Sequence, residues 1–155
     1  MPSLQFETPI GDCLISWAGT AITGFALLST QPNALDPPPP WIEIIVQRVQ
    51  AHLSGIAQDF CDVPLAWSRA TEFQSAIYRA ALNIKSGQTA TYGDLARAIS
   101  QPPAVSRAVG TALGLNPWPL LVPCHRVHQC RRQNDWLFRL RRNSHHIEAA
   151  FYRGE

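Results

Sequence analysis

Disulfide frameworks, bilayer spans and export signals are all missing from this sequence. Its four cysteines, at positions 13, 61, 124 and 130, are too scattered for a disulfide scaffold, and no pair has the C-x-x-C spacing of a zinc knuckle or redox motif. No apolar stretch approaches the roughly 20 residues that cross a bilayer. The opening residues, MPSLQFETPIG, lack the basic start and apolar run of a signal peptide. A reduced, cytoplasmic, monomeric protein with no membrane association is therefore expected. Charge is also scarce, at 15% of residues where about a quarter is usual. No internal repeat is visible, and low complexity is confined to four prolines at 37–40.

What charge there is divides unevenly. Residues 1–70 carry two basic and six acidic side chains, a net of −4; residues 71–155 carry eleven and five, a net of +6. An anionic partner would feel the second half. At 155 residues and 46% hydrophobic composition the chain is long enough to bury a real core.

Residues 12–18 and 21–28 are strand formers separated by Gly19-Thr20, the pattern of a β-hairpin. Pro37 to Pro40 cannot be helical and are expected to form a stiff, extended connector. From Trp41 to Ser54, Ile42, Ile45, Val46, Val49 and Leu53 share one helical face, with Gly55 as the stop. Cys61, Val63, Leu65 and Trp67 then alternate with smaller or polar residues, the period of a half-buried strand. A small α/β unit over residues 1–68 follows from this.

Thr71-Glu72-Phe73-Gln74 has capping-box spacing ahead of a stripe of Phe73, Ile77, Ala80, Ala81 and Ile84. Residues 91–100 and 104–115 read as two short helices joined by a Gln101-Pro102-Pro103 turn, a helix-turn-helix pattern. A mostly helical, winged-helix-like unit over residues 71–155 is expected. Many three-helix cores share that geometry without touching nucleic acid.

Chemistry concentrates in NPWPLLVPCHRV, residues 116–127. Three prolines exclude a regular helix, and Leu120-Leu121-Val122 reads as a buried segment that delivers Pro123-Cys124-His125-Arg126. Imidazole and guanidinium beside a thiol form a positive field, which favours thiolate and lowers the thiol pKa. Neighbouring residues on an extended strand point to opposite faces, so His125 serves Cys124 only through a chain turn or a relaying water. Cys124, His125, His128 and Cys130 are too closely packed for one tetrahedral ion, so no metal is expected. Arginines at 126, 131, 132, 139, 141 and 142 form a basic face suited to phosphates.

These motifs closely resemble the O6-alkylguanine-DNA alkyltransferases, the methylated-DNA–protein-cysteine methyltransferases, over most of the chain. The resemblance starts at Thr8-Pro9-Ile10-Gly11, opening the first strand, and continues through Thr71-Glu72-Phe73-Gln74 with Ile77-Tyr78. It then covers residues 87–96, Ser106-Arg107-Ala108-Val109-Gly110, Asn116-Pro117 and Pro123-Cys124-His125-Arg126-Val127.

The resemblance implies repair by direct reversal: irreversible transfer of an alkyl group from guanine O6 in double-stranded DNA, and from thymine O4, to Cys124, with no dissociable cofactor. It implies that His125 activates the thiol through a water, Tyr92 assists nucleotide rotation and leaving-group protonation, and Arg107 enters the duplex in place of the flipped nucleotide. Ala108 and Gly110 would let the recognition helix lie close to the minor groove, and Asn116 would hold the following turn. Arg126 would add a DNA contact, and Val127 and Trp136 would line the substrate pocket.

The stretch after Cys124 departs from the family. Residues 128–148 hold no glycine where a glycine-rich loop is expected, and Arg139 stands at a glycine position. Ungapped alignment on Trp136 puts Ala150 where the catalytic glutamate belongs, with Glu148 two residues early, about 200° away around a helix. Glu148 is the candidate carboxylate if a local bend re-registers it. The competing readings are a non-enzymatic protein that binds and flags alkylated DNA, whose known forms usually lack the cysteine, and an inactive paralogue.

Overall fold

The structure is a computed structural model that describes residues 2–27 and 37–128. Three strands open it: β1 (Ser3–Thr8), β2 (Gly11–Ala18) and β3 (Ala21–Ala26), a simple antiparallel meander. β2 alternates as a strand with one covered face must, burying Cys13, Ile15 and Trp17. Ala18 pairs with Ala21 across a two-residue turn, which Gly19 closes at a φ of 58°. β1 is an addition to the expected hairpin. Thr8-Pro9-Ile10-Gly11 is accordingly the turn between β1 and β2, and Pro9, with no N–H to give a ladder, suits that place.

Helix α1 (Pro40–Leu53) lies on this sheet, with Ile42, Ile45, Val46, Val49 and Leu53 buried. Pro39 has the extended dihedrals expected of the proline run, −64° and 156°, but Pro40 belongs to the helix. First-turn N–H groups have no intrahelical partner, so proline at the first position costs nothing. Gly55, at a φ of 104°, follows the cap residue Ser54.

No strand forms over residues 61–67. Val63 and Leu65 are buried, yet Cys61 is exposed and residues Trp67–Arg69 form a 3-10 turn. Pro64 has no amide proton, so the segment touches the sheet through a single bridge. Ile22 donates to Pro64 O at 2.8 Å and Ala66 donates to Ile22 O at 2.8 Å.

Helix α2 (Glu72–Leu82) starts with the expected capping box: Gln74 N–H donates to Thr71 Oγ1 at 3.1 Å, and Thr71 N–H donates to Gln74 Oε1 at 2.9 Å. A two-residue strand, β4 (Ala90–Thr91), leads into α3 (Tyr92–Ala98), whose N-terminus repeats the device with Thr91 and Asp94. A 3-10 turn at Pro103–Val105 precedes α4 (Ser106–Gly114). Together α3, the turn and α4 make the helix-turn-helix, with Leu95, Ala96, Val109, Ala112 and Leu113 inward.

The core is continuous from the sheet to the helices. Trp118, fully buried, donates from Nε1 to Ile22 O at 2.8 Å and packs edge-on against Trp67 and Tyr78, with centroids 5.5 and 6.0 Å away. Tyr78 Oη donates to Ala112 O at 2.5 Å, joining α2 to α4.

Candidate active site

Asn116 shapes the chain between α4 and the cysteine. Its Oδ1 accepts the Trp118 N–H at 2.9 Å, and its Nδ2 donates to Val122 O at 3.3 Å. Side-chain amides that bridge their own loop substitute for secondary structure where proline forbids it. Within this loop Leu120 has a φ of 77°, the left-handed region that a leucine rarely adopts. Such conformations persist only where surrounding contacts over-determine them, and Leu120, Leu121 and Val122 are all buried.

The chain then turns. Cys124–Arg126 is a 3-10 helix, closed by Arg126 N–H donating to Pro123 O at 3.0 Å. The turn takes Cys124 and His125 out of the extended geometry that would have separated them. Strand β5 (Val127–His128) follows and pairs in parallel with β4, Ala90 opposite Val127 and Thr91 opposite His128. Since Tyr92 directly follows β4, this pairing ties the start of α3 to the end of the cysteine turn.

The electrostatics differ from the expected positive field. Burial pushes the half-buried Cys124 thiol above its ordinary value; the Asn116 side chain and backbone N–H groups at 124, 125 and 120 pull in the opposite direction but do not prevail. His125 is held well below the usual imidazole range by burial first, then by Arg126 and His52. Neutral thiol beside neutral imidazole is thus the resting pair at neutral pH. Tyr78 is pushed up to about 12 by burial and by the nearby Cys124.

Burial outweighs the positive field at the thiol, and the placement of Arg126 corrects the expectation of a DNA contact. Its side chain is 4% exposed and points inward. Nη1 donates to Asp59 Oδ1 at 2.8 Å and to Ile84 O at 2.7 Å, and Nη2 donates to Gln58 O at 3.3 Å. A guanidinium so deeply buried and so engaged is out of reach of a phosphate. Val127, expected to line the substrate pocket, is 1% exposed and its side chain belongs to the core.

Gly110 also faces the neighbouring helix. A Cβ built there would stand 2.9 Å from the Tyr92 ring, so the missing side chain makes room for that ring. Arg107 and Ala108 sit on the exposed side of α4. An open groove of about 670 Å³ runs beside them, with Phe73 and Gln74 of α2 on its other wall. Glu148, Trp136, Arg139 and Cys130 lie outside the described residues.

Two residues that sequence reasoning missed stand at the centre of this arrangement. Asp59 anchors Arg126 and also accepts the Ser86 N–H at 3.0 Å. His52 lies on α1 with its ring centroid 6.5 Å from that of His125. Position 52 follows Val49 by three residues, so a histidine on an otherwise apolar helical face was the available signal.

A helix-turn-helix with an exposed arginine, backed by a turn that presents a half-buried cysteine next to a histidine, defines a DNA-binding protein with a nucleophilic acceptor. Residues 72–135 match the family described as 6-O-methylguanine DNA methyltransferase, DNA binding domain. The methylated-DNA–protein-cysteine methyltransferase of Methanosarcina acetivorans is 35% identical over 128 residues, 79% of this chain and 80% of that one. The Mycobacterium tuberculosis protein of the same name is 36% identical over 125 residues, 78% and 74% of the two chains. Among solved structures, that of M. tuberculosis OGT in complex with DNA superimposes with a TM-score of 0.69 at 31% identity, covering 85% of this chain and 81% of that one. The chain belongs to the methylated-DNA–protein-cysteine methyltransferase family.

Proposed function

We propose that this protein repairs O6-alkylguanine in DNA by direct reversal, taking the alkyl group onto Cys124. The observation that carries this reading is the 3-10 turn that presents the half-buried Cys124 with His125 next to it, in the same chain as a helix-turn-helix whose Arg107 is exposed. α4 docks on the duplex with Arg107 and Ala108, and Arg107 fills the space left by the rotated nucleotide. The thiol proton passes to His125 through a water. Cys124 Sγ then forms a bond to the alkyl carbon as the bond from that carbon to guanine O6 breaks. Tyr92, held at the start of α3, protonates the leaving base. Asn116 and the backbone N–H groups around the sulfur are the donors that support the thiolate while it exists.

The alkylated oxygen lies within the base stack, so the base must leave the duplex before Sγ can reach it. The acceptor is not regenerated, and one chain acts once. No dissociable cofactor enters this scheme. O4-alkylthymine is a second substrate of the same displacement chemistry. Residues 1–68 and 71–155 are the two units of the chain, and the protein acts as a cytoplasmic monomer. No helix among the described residues is long and apolar enough to cross a membrane.

Incubation with duplex DNA containing O6-methylguanine should add one methyl mass to the Cys124 peptide. An unmodified peptide after prolonged incubation would refute the activity.

A further inference from the structure

One buried titratable side chain plays no part in the scheme above. His52, in the last turn of α1, is 7% exposed. Its Nδ1 accepts the Gln58 N–H at 3.1 Å, so the neutral ring carries its proton on Nε2. Phe60 packs edge-on against it, with centroids 5.8 Å apart and planes at 80°. Phe60 is itself held under Arg48, whose guanidinium carbon lies 5.2 Å from the ring centroid and whose Nη1 pairs with Asp62 at 3.0 Å. On another side His52 meets His125, with planes tilted by 53°. A histidine fixed this firmly is an unusual neighbour for a general base, because a charge on either ring opposes a charge on the other.

We propose that His52 is a positioning residue for alkyl transfer: clamped by the Gln58 N–H and Phe60, its imidazole sets the orientation and the protonation of His125 from the N-terminal helix. This rests on the alkyltransferase reading for its role in the reaction. Among the described residues, the charged and titratable groups facing the pair are Arg126 and Cys124 on the active-site turn and Asp59 in the loop after α1. Arg126 disfavours a proton on either ring, and Asp59 favours one on His52. His52 is therefore the residue of the N-terminal unit whose ring lies against that of His125, beside the Asp59 and Gln58 bonds to Arg126. Burial and Arg126 hold His125 low first, and His52 adds to them, keeping the ring ready to accept the thiol proton.

The test follows the His125 ring by NMR in the full chain, together with the rate of methyl transfer from O6-methylguanine duplex, from mildly acid to mildly alkaline pH. His52→Phe keeps a buried ring of similar size but removes its polarity. His52→Asn keeps an acceptor for the Gln58 N–H and removes the ring. Both should raise the His125 titration midpoint, by about one unit or a tenfold gain in proton affinity. The acid limb of the transfer rate should move to higher pH with it. A folded His52→Phe protein with an unchanged His125 midpoint overturns the proposal; if that variant does not fold, His52→Asn decides in the same way. A wild-type chain that transfers no methyl would refute the alkyltransferase reading, while the His125 titration would still decide the role of His52.

Discussion

Gly110 and Tyr92 are fitted to each other: a side chain of even one carbon on α4 would come within 2.9 Å of the tyrosine's Cε2 and 3.4 Å of Cζ. The recognition helix and the first residue of α3 are therefore packed at backbone-to-ring distance. The tyrosine's aim depends on what stands at position 110.

Gly110→Ala should slow methyl transfer by displacing the Tyr92 ring, with a packing cost of about 1–3 kcal/mol. The helix-propensity gain of alanine, up to ~1 kcal/mol, offsets part of that loss. Gly114→Ala is the matched control, since a Cβ there has nothing within 4 Å. It should leave transfer unchanged and stability equal or slightly higher. Single-turnover kinetics and thermal melts on the two variants separate the effects.

Arg107 and Arg126 should fail in opposite ways. Arg107→Ala, on the exposed face of α4, should weaken duplex binding and leave the melting temperature nearly unchanged. Asp59→Asn, which strips Arg126 of its carboxylate, should destabilise the fold by about 3–5 kcal/mol, the usual cost of leaving a buried charge uncompensated. Urea denaturation and fluorescence-anisotropy titration with duplex DNA are the two measurements. Loss of affinity without loss of stability in Asp59→Asn would restore Arg126 to the DNA contact set.

Acidification should destabilise the protein in a window that opens just below the ordinary histidine value of 6.5. His52 and His125 both sit below that value in the folded state, so the unfolded chain binds more protons there and stability falls with pH. Their contribution is complete above 6.5 and is lost as pH falls through the lowered folded-state values. Asp62 and Asp94, lowered by Arg48 and by Thr91 respectively, add their own loss only below the ordinary carboxylate value of 3.8. Denaturant midpoints measured across mild acid should decline in wild type and decline less in His52→Phe.

Cys124→Ala separates transfer from binding. The variant should still bind methylated duplex, because Arg107 and Ala108 remain exposed on α4, but should give cells no protection against an alkylating agent. Protection equal to that of the parent would make lesion binding the function and the thiol incidental. A cooperative thermal transition in the parent chain would dispose of the inactive-paralogue reading.

Much of this was legible in the residues. Helical periodicity placed α1, α2 and the helix-turn-helix pair, because each buries one clear stripe and two begin at capping boxes that act locally. The strand expected at 61–67 failed because Val63 and Leu65 alternate around a proline, and alternation cannot register a missing amide donor. β1 went unread because only Phe6 on it is buried. At the site, the turn at Cys124 is carried by Asn116 and the flanking prolines, all visible in sequence. Arg126 was misplaced because an arginine beside a nucleophile reads as surface charge until its partner, 67 residues earlier, is known. His52 is the same kind of case: its importance lies in a neighbour that only the fold supplies.

The bond from Trp118 Nε1 to Ile22 O spans 96 positions and the Arg126–Asp59 pair spans 67. A truncated chain starting at residue 72, where the family match begins, would keep every residue proposed to touch DNA or the reacting atoms and lose both handholds. Its guanidinium would be left with one backbone carbonyl of the three groups that now receive it, and its indole N–H would lose its acceptor. The boundary that similarity draws through this chain thus cuts both bonds, and a chain divided there should be less stable than the whole.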